Sequence, residues 1–353
     1  MVRRSITRDD VARKAGVSPA TVSYVINNGP RSVADETRAK VVQAIKDLGY
    51  QPNALARNLR MQKTNSLGLI IPDNKNTFFA EVTLGVEQVA FDNKFNVIIC
   101  HSAYRLEREL AYIQMVISHQ VAGVIWIPCT EEATAARQLE NFHTPFVLLD
   151  RIVSNVESPS ITVDNFQAGF QITQHLTSLG HKRIGYIGRP ADLSHSIERF
   201  NGYRTALEQA NIPFDPSLVV RGGFQHEDGS VACKRLLSLH SPPTCIVAYN
   251  DMNAIGAMHT AQELGLRVPD DLSFGGIDDI SIAAYSFPAL TTVEVPKFEM
   301  GALSAKLLIA LIHEELPEEQ RHTCLDVHLK VRSSTSVPSA TRIHFANHHL
   351  EKV

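Results

Sequence analysis

The sequence predicts an α/β protein in two parts: a small N-terminal head of three helices, then a large body of two lobes built on parallel sheets. Three observations predict it. The residues before Leu67 carry helix start and stop signals but no strand-like run. From Leu67 onward short apolar runs alternate with amphipathic stretches, the mark of βαβ units. That alternation runs through one series and then restarts, which calls for two sheets.

The elements of the head follow from local signals. Thr7 with Asp10 three residues later makes a capping start, and Val11, Ala12 and Ala15 supply an apolar stripe for a helix from Arg8 to Ala15, ended by Gly16. Ser18 is a good N-cap, with Pro19 at the first helical position, where its missing N–H costs nothing. The second helix reaches about Ile26, with Val22, Val25 and Ile26 inward and Pro19, Ala20, Ser23, Tyr24 and Asn27 outward. A third helix from Asp35 to Leu48 turns Val41, Ile45 and Leu48 inward, and Gly49 ends it.

Two short helices joined by a glycine turn are a helix-turn-helix pattern, in which the second helix enters a major groove by its N-terminal end. Charge agrees. The first 63 residues hold twelve Lys and Arg against five Asp and Glu, a net +7, whereas the other 290 carry a net −10. A basic head on an acidic body suggests a polyanionic partner for the head alone, double-stranded DNA above all. Pro19 and Ala20 are small and apolar, suited to thymine methyls or to shape, while Ser23, Tyr24 and Asn27 carry hydrogen-bonding groups.

In the body, strands are expected at Leu67 to Ile71, Asn96 to Cys100, Val124 to Ile127 and Phe146 to Leu149, with helices near Phe79 to Asp92, Leu106 to His119 and Glu132 to Phe142. After Ser160 to Val163 the series restarts, with strands at Arg183 to Ile187, Ser217 to Arg221, Thr244 to Ala248 and Asp271 to Gly275. A ligand then belongs where the carboxyl ends of both sheets face each other. The residues at those ends include Asp73, Phe78, Phe79, Asp150, Arg151, Asp164, Phe224, Asn250, Asp251, Asp278 and Asp279. Carboxylates and amides among aromatic rings suit a polyhydroxylated ring, which takes hydrogen bonds at its edge and stacks by its C–H face.

Other classes are disfavoured. No apolar stretch approaches the roughly 18 residues of a spanning helix, and the first ten residues are charged, so a cytoplasmic protein is expected. The five cysteines are scattered without a C-x-x-C pair and read as small buried hydrophobes. Neither a metal nor a cofactor is expected. The sequence has no G-x-G-x-x-G, P-loop, G-x-S-x-G or H-E-x-x-H, so catalysis is not expected either. A solute-binding protein of sugar transport is the alternative that the body's architecture keeps open, and the basic head argues against it.

The head resembles the DNA-binding domain of the LacI/GalR family of bacterial repressors. The resemblance lies in Asp10-Val11-Ala12, the run V-S-P-A-T-V-S-Y-V-I-N from Val17 to Asn27, E-T-R from Glu36 to Arg38, and L-G-Y-Q-P-N-A-L-A-R-N-L-R from Leu48 to Arg60. It departs at Ala34, where a Ser usually caps the third helix, and at Tyr24, where many members carry Arg or His. The resemblance implies DNA contacts by Ser18, Pro19, Ala20, Thr21, Ser23, Tyr24 and Asn27. It also implies a hinge helix holding Asn53, Leu59 and Arg60, in which Leu59 wedges into the minor groove.

The body resembles the family's effector domain, built like the type I periplasmic sugar-binding proteins. The matching stretches include N-T-F-F-A-E from Asn76, L-L-D-R from Leu148, V-D-N from Val163, Y-N-D from Tyr249 and G-I-D-D from Gly276. Carried over, Phe78, Phe79, Asp164, Phe224 and Asp278 line an effector pocket, with Arg151 and Asn250 beside them. Leu193, His195 and Ile197 stand where other members supply a ligand arginine or threonine, and Arg199 occupies what resembles a structural position.

The implied protein is a homodimeric regulator, most simply a repressor, that binds palindromic operator DNA under the control of a sugar-like effector. A protein corepressor in place of the small molecule stays open. The expected domains are a helix-turn-helix domain at 1–50, a hinge at 51–63, an effector and dimerisation domain at 64–335 and a polar tail at 336–353. Within the body, lobe 1 is expected to take 64–162 and 291–322, and lobe 2 to take 163–290 and 323–335.

Overall fold

The computed structural model describes residues 6–27, 32–50, 64–188, 193–317 and 320–339. Chain contacts divide the protein between Thr64 and Asn65 into a head and a body. The expected hinge residues Asn53, Leu59 and Arg60 lie outside the described residues, as does the side chain of Asn27.

The head is three helices, α1 (Arg8–Ala15), α2 (Pro19–Asn27) and α3 (Asp35–Leu48). A capping box opens α1: the Thr7 hydroxyl accepts from the Asp10 amide, and the Asp10 carboxylate accepts from the Thr7 amide at 2.9 Å. Gly16 and Gly49 end α1 and α3 at φ +67° and +63°, a conformation that glycine adopts without the steric cost of a Cβ. Val11, Ala12, Val22, Val25, Val41 and Ala44 form a core drawn from all three helices. At α3 the N-cap residue is Ala34, with no side-chain cap bond, so this helix begins with an uncapped backbone donor that a Ser would have satisfied.

The body opens with β1 (Ser66–Ile71), α4 (Thr77–Asp92), β2 (Asn96–His101), α5 (Leu106–Ser118), β3 (Gly123–Trp126), α6 (Thr134–Asn141), β4 (Phe146–Leu149) and β5 (Ser160–Val163). It continues with α7 (Asn165–Ser178), β6 (Ile184–Gly188), α8 (Ser194–Gln209), β7 (Val219–Arg221), α9 (His226–Leu237), β8 (Cys245–Ala248), α10 (Asp251–Glu263) and β9 (Ser273–Asp278). Last come β10 (Thr291–Glu294), α11 (Lys297–Ile312), β11 (His322–Leu325) and β12 (His328–Lys330).

Two sheets of six strands result among the described residues, in the orders β11-β5-β4-β3-β1-β2 and β12-β10-β9-β8-β6-β7. All described pairings are parallel except that of β10 with β12. Central strands such as β3, β4, β8 and β9 are buried along their whole length because helices cover both faces of each sheet.

The lobes exchange chain at places other than those the sequence suggested. Thr291–Glu294 was expected in lobe 1, but β10 pairs with β9 in the second sheet, so that crossing comes after Val295. Residues from 323 onward were expected in lobe 2, but β11 pairs with β5 in the first sheet, with His322 opposite Ser160, and only β12 returns to the second. Pairing partners far away in sequence, not local pattern, set these crossings.

Three helix pairs pack backbone against backbone, each through a reciprocal pair of glycines. A Cβ at Gly85 would collide with the Phe298 carbonyl, and one at Gly301 with that of Val82, which locks α4 to α11. Gly169 and Gly202 do the same for α7 and α8, and Gly229 and Gly256 for α9 and α10.

Four cysteines are buried as expected. Cys324, on the edge strand β11, is exposed instead. Among the described residues no helix is long and apolar enough to cross a membrane.

Candidate nucleic-acid interface and ligand cleft

The N-terminus of α2 is held by Ser18, whose hydroxyl accepts from the Thr21 amide at 3.1 Å and shares a hydrogen bond with the Thr21 hydroxyl at 3.0 Å. Burying Val22 (0% exposed) and Val25 (7%) turns the opposite face of the helix outward. Pro19 and Ala20 are then exposed at its tip, with Thr21, Ser23 and Tyr24 half-buried beside them. A narrow helix end with small tip residues can approach base edges closely. Lys14 on α1 pairs with Asp47 on α3 at 3.0 Å, and together with the Gln43 amide it holds the Asp47 carboxyl below its usual range.

In the body, the carboxyl ends of both sheets deliver side chains to one narrow cavity of about 20 Å³. After β1, Asn76 caps α4 by accepting from the Phe78 amide at 2.9 Å, which sets Phe78 and Phe79 edge to face at 5.1 Å. After β4, Asp150 adopts φ +66° and Arg151 is buried. One Arg151 hydrogen bond reaches the Pro128 carbonyl at 2.8 Å, and its Nε stands 3.5 Å from the Asp150 carboxylate. From the second lobe come Phe224 after β7, Tyr249 and Asn250 after β8, and Asp278 at the end of β9.

Asp278 is 5% exposed and faces the Arg199 guanidinium, with Nη2 to Oδ1 at 3.4 Å. Its carboxyl is pushed up to about 6, because burial outweighs the opposing pull of Arg199 and Lys297. Lys297 donates to the carbonyl oxygens of Asp278 (2.7 Å) and Asp279 (2.8 Å) and pairs with Glu81 at 3.5 Å, which ties the end of β9 to α11 and to α4 of the other lobe. Gln225 reaches across to Asp73 at 2.6 Å, and the Ser194 amide donates to Glu131.

Six of the seven cleft residues named from sequence line this cavity: Phe78, Phe79, Arg151, Phe224, Asn250 and Asp278. Asp164 does not. Its carboxylate caps α7 by accepting from the Gln167 amide at 2.8 Å, and it lines an adjoining cavity of about 240 Å³ with His195 and Glu198; Asp150 borders both spaces. Asn250 also has structural work, since its Oδ1 caps α10 through the Asn253 amide. Ile197 is exposed on α8, and Leu193 is buried away from both cavities. Asp251 lies beneath the cleft, bonded to Thr292 and to the Ile280 amide, its carboxyl raised well above its usual range by burial and by nearby Asp278.

Sequence reasoning missed Asn76, Tyr104, Arg199 and Tyr249 as cleft residues. Tyr104 could have been found by the rule that found the others, since it follows the carboxyl end of β2. Arg199 is bound by the Asn165 side chain and the Tyr249 carbonyl, both at 2.8 Å, so it is structural and faces the cleft at once. Among the described residues no cluster of His, Cys, Asp and Glu is arranged to hold a metal ion.

Comparison with known proteins matches residues 7–53 to a model described as bacterial regulatory proteins, lacI family. Residues 173–335 match a periplasmic binding protein-like domain. Catabolite control protein A of Priestia megaterium is 36% identical over 312 residues, covering 88% of this chain and 94% of that protein. The HTH-type transcriptional repressor PurR of Edwardsiella ictaluri (strain 93-146) is also 36% identical, over 334 residues, covering 94% of this chain and 96% of that one. Among solved structures, the lac repressor dimer bound to operator and the anti-inducer ONPF superposes with a TM-score of 0.83 at 25% identity, covering 94% of this chain and all of that one.

Proposed function

The chain belongs to the LacI family of bacterial regulatory proteins, and from that premise we propose that it is a transcriptional repressor whose hold on operator DNA is set by a small molecule bound in the cleft of its body. It is a DNA-binding regulator, and it works where the chromosome lies, in the cytoplasm. The observation that carries the finer reading of the head is the capped end of α2, where Pro19 and Ala20 are exposed above a core of Val22 and Val25. On this reading Ser18, Pro19, Ala20, Thr21, Ser23, Tyr24 and Asn27 meet the DNA. Asn53, Leu59 and Arg60, outside the described residues, act in the minor groove.

The effector is a neutral, polyhydroxylated or flat-ringed metabolite. Phe78, Phe79 and Phe224 supply its apolar walls; Arg151, Asn250 and Asp278 supply its polar contacts. The two acidic and two basic side chains in the cavity offset one another, which disfavours a strongly anionic ligand. Two copies of the chain act together, as the lac repressor dimer does on its operator, because a two-fold DNA site needs two heads. The body senses and does not catalyse.

A palindromic fragment from upstream of the protein's own gene tests this directly. Retardation of the fragment that weakens steeply with salt, and that changes on addition of a sugar or nucleoside which also raises the melting temperature, is the expected result. No retardation at low salt would overturn the DNA reading. Retardation indifferent to every stabilising small molecule would overturn the effector reading and favour a protein corepressor.

A further inference from the structure

The ring of Tyr104 lies flat on the ring of Phe224, with centroids 4.0 Å apart and planes 11° from parallel. The two rings come from opposite lobes, Tyr104 from the loop after β2 and Phe224 from the loop after β7. The Arg151 guanidinium sits 5.7 Å from the Tyr104 centroid and 5.8 Å from that of Phe224, so the cation covers the edge of the stack. A cleft ligand would find the same three things in this seat: an apolar face, a flanking cation and strand ends from both sheets.

We propose that Tyr104 is the cleft's own occupant, holding the seat on Phe224 that a flat-faced effector takes, so that the effector binds by displacing it. This rests on reading the cleft as the effector site, and it adds a residue that sets which ligands enter and how tightly. Phe224 is 9% exposed and belongs to the wall, whereas Tyr104 is only half-buried and sits at the mouth. The loop is built to release it. Ala103 and Tyr104 stand at φ +55° and +56°, a left-handed conformation that costs energy in side-chain-bearing residues and that release would relieve.

Backbone bonds fix both sides of this pair. Ser102 donates to the Ile71 carbonyl at 3.0 Å, and Arg105 donates to that of Ser102 at 3.1 Å across residues 103 and 104, so moving these two residues gives up only the second bond while the first keeps the loop anchored to β1. A ligand that must displace an internal ring binds more weakly by the fraction of time the seat is empty. Ligands whose flat face covers Phe224 as fully as the phenol ring does are therefore selected over smaller or puckered ones.

The test uses the full chain and 4-fluorophenol, a close analogue of the excised side chain, followed by fluorine NMR. Tyr104→Gly vacates the seat, and glycine suits the local φ, so the fold is expected to survive; Tyr104→Ala serves if it does not. The vacated variant should bind the phenol saturably and at least about tenfold more tightly than either the wild type or Tyr104→Phe, which keeps the ring. Adding Phe224→Ala should remove that binding. Equal binding by wild type and Tyr104→Gly, or binding that survives Phe224→Ala, overturns the proposal. A small molecule that alters operator binding and binds wild type and Tyr104→Gly equally tightly overturns displacement and leaves the effector reading standing, whereas a phenol-filled seat with no small molecule altering operator binding in either protein overturns instead the effector reading on which the proposal rests.

Discussion

The Nη2 of Arg199 stands 3.4 Å from Oδ1 of Asp278, long for a charge-assisted bond, and both side chains are almost wholly removed from water. A carboxylate held this loosely does not recover its lost hydration, and so its proton affinity rises although a cation faces it.

Stability should therefore fall as pH rises from about 4 to about 6. The Asp278 carboxyl moves from 3.8 to about 6 on folding, so within that window the folded chain holds a proton that the unfolded chain has lost. Below the window both states are protonated; above it both are ionised. Denaturant unfolding of Asp278→Asn across this range should show a shallower slope, by at most about one proton. Asp251, raised in the same direction, keeps part of the slope in place. Identical slopes in the two proteins would mean that the Asp278 carboxyl is ionised throughout.

Ala34→Ser should stabilise α3 by about 1 kcal/mol, because the new hydroxyl can accept from a first-turn amide that has no side-chain partner. Hydrogen exchange at the amides of Val41 and Ala44 should slow by about fivefold if the head opens as a unit. Unchanged exchange would show that the open end of α3 is already satisfied by water.

Gly301→Ala should destabilise the body by about 1–3 kcal/mol, since the new methyl meets the Val82 carbonyl where α4 and α11 touch. A fall of several degrees in the body's melting temperature is the expected reading. An unshifted melting temperature would mean that the two helices can separate freely.

Ala20→Glu should abolish specific DNA binding and leave the melting temperature unchanged, because the side chain is exposed at the tip of α2 and contributes nothing to the core. A loss of at least about tenfold in operator affinity is expected from like-charge repulsion alone. Retained affinity would move the recognition surface away from α2.

What could be read from sequence divides along physical lines. The head was legible to the residue at α1 and α3, because capping at Thr7, Gly16 and Gly49 is local chemistry. Most of the cleft was legible too, because residues after parallel strands converge whatever the loops between them do. Asp164 lines the adjoining cavity and not the main one, a distinction no sequence pattern records, since a carboxylate that caps a helix and one that faces a ligand look alike in sequence. Tyr104 follows the carboxyl end of β2 and was open to the same rule, but its stacking on Phe224, far along the chain, leaves no local pattern. The crossings at β10 and β11 failed for the same reason.

The pairing of β11 with β5 has a consequence for how the chain is made. Ser160 leaves the ribosome long before His322, its partner in the ladder. At translation rates of roughly 5–20 residues per second, the delay is on the order of ten to thirty seconds. Throughout it the outer edge of β5 offers unpaired amides and carbonyls to any neighbouring nascent chain. Two ribosomes on one message hold two such edges close together, so edge-to-edge capture is the specific hazard of this topology. Protection by a chaperone matters most in the interval before residue 325 emerges.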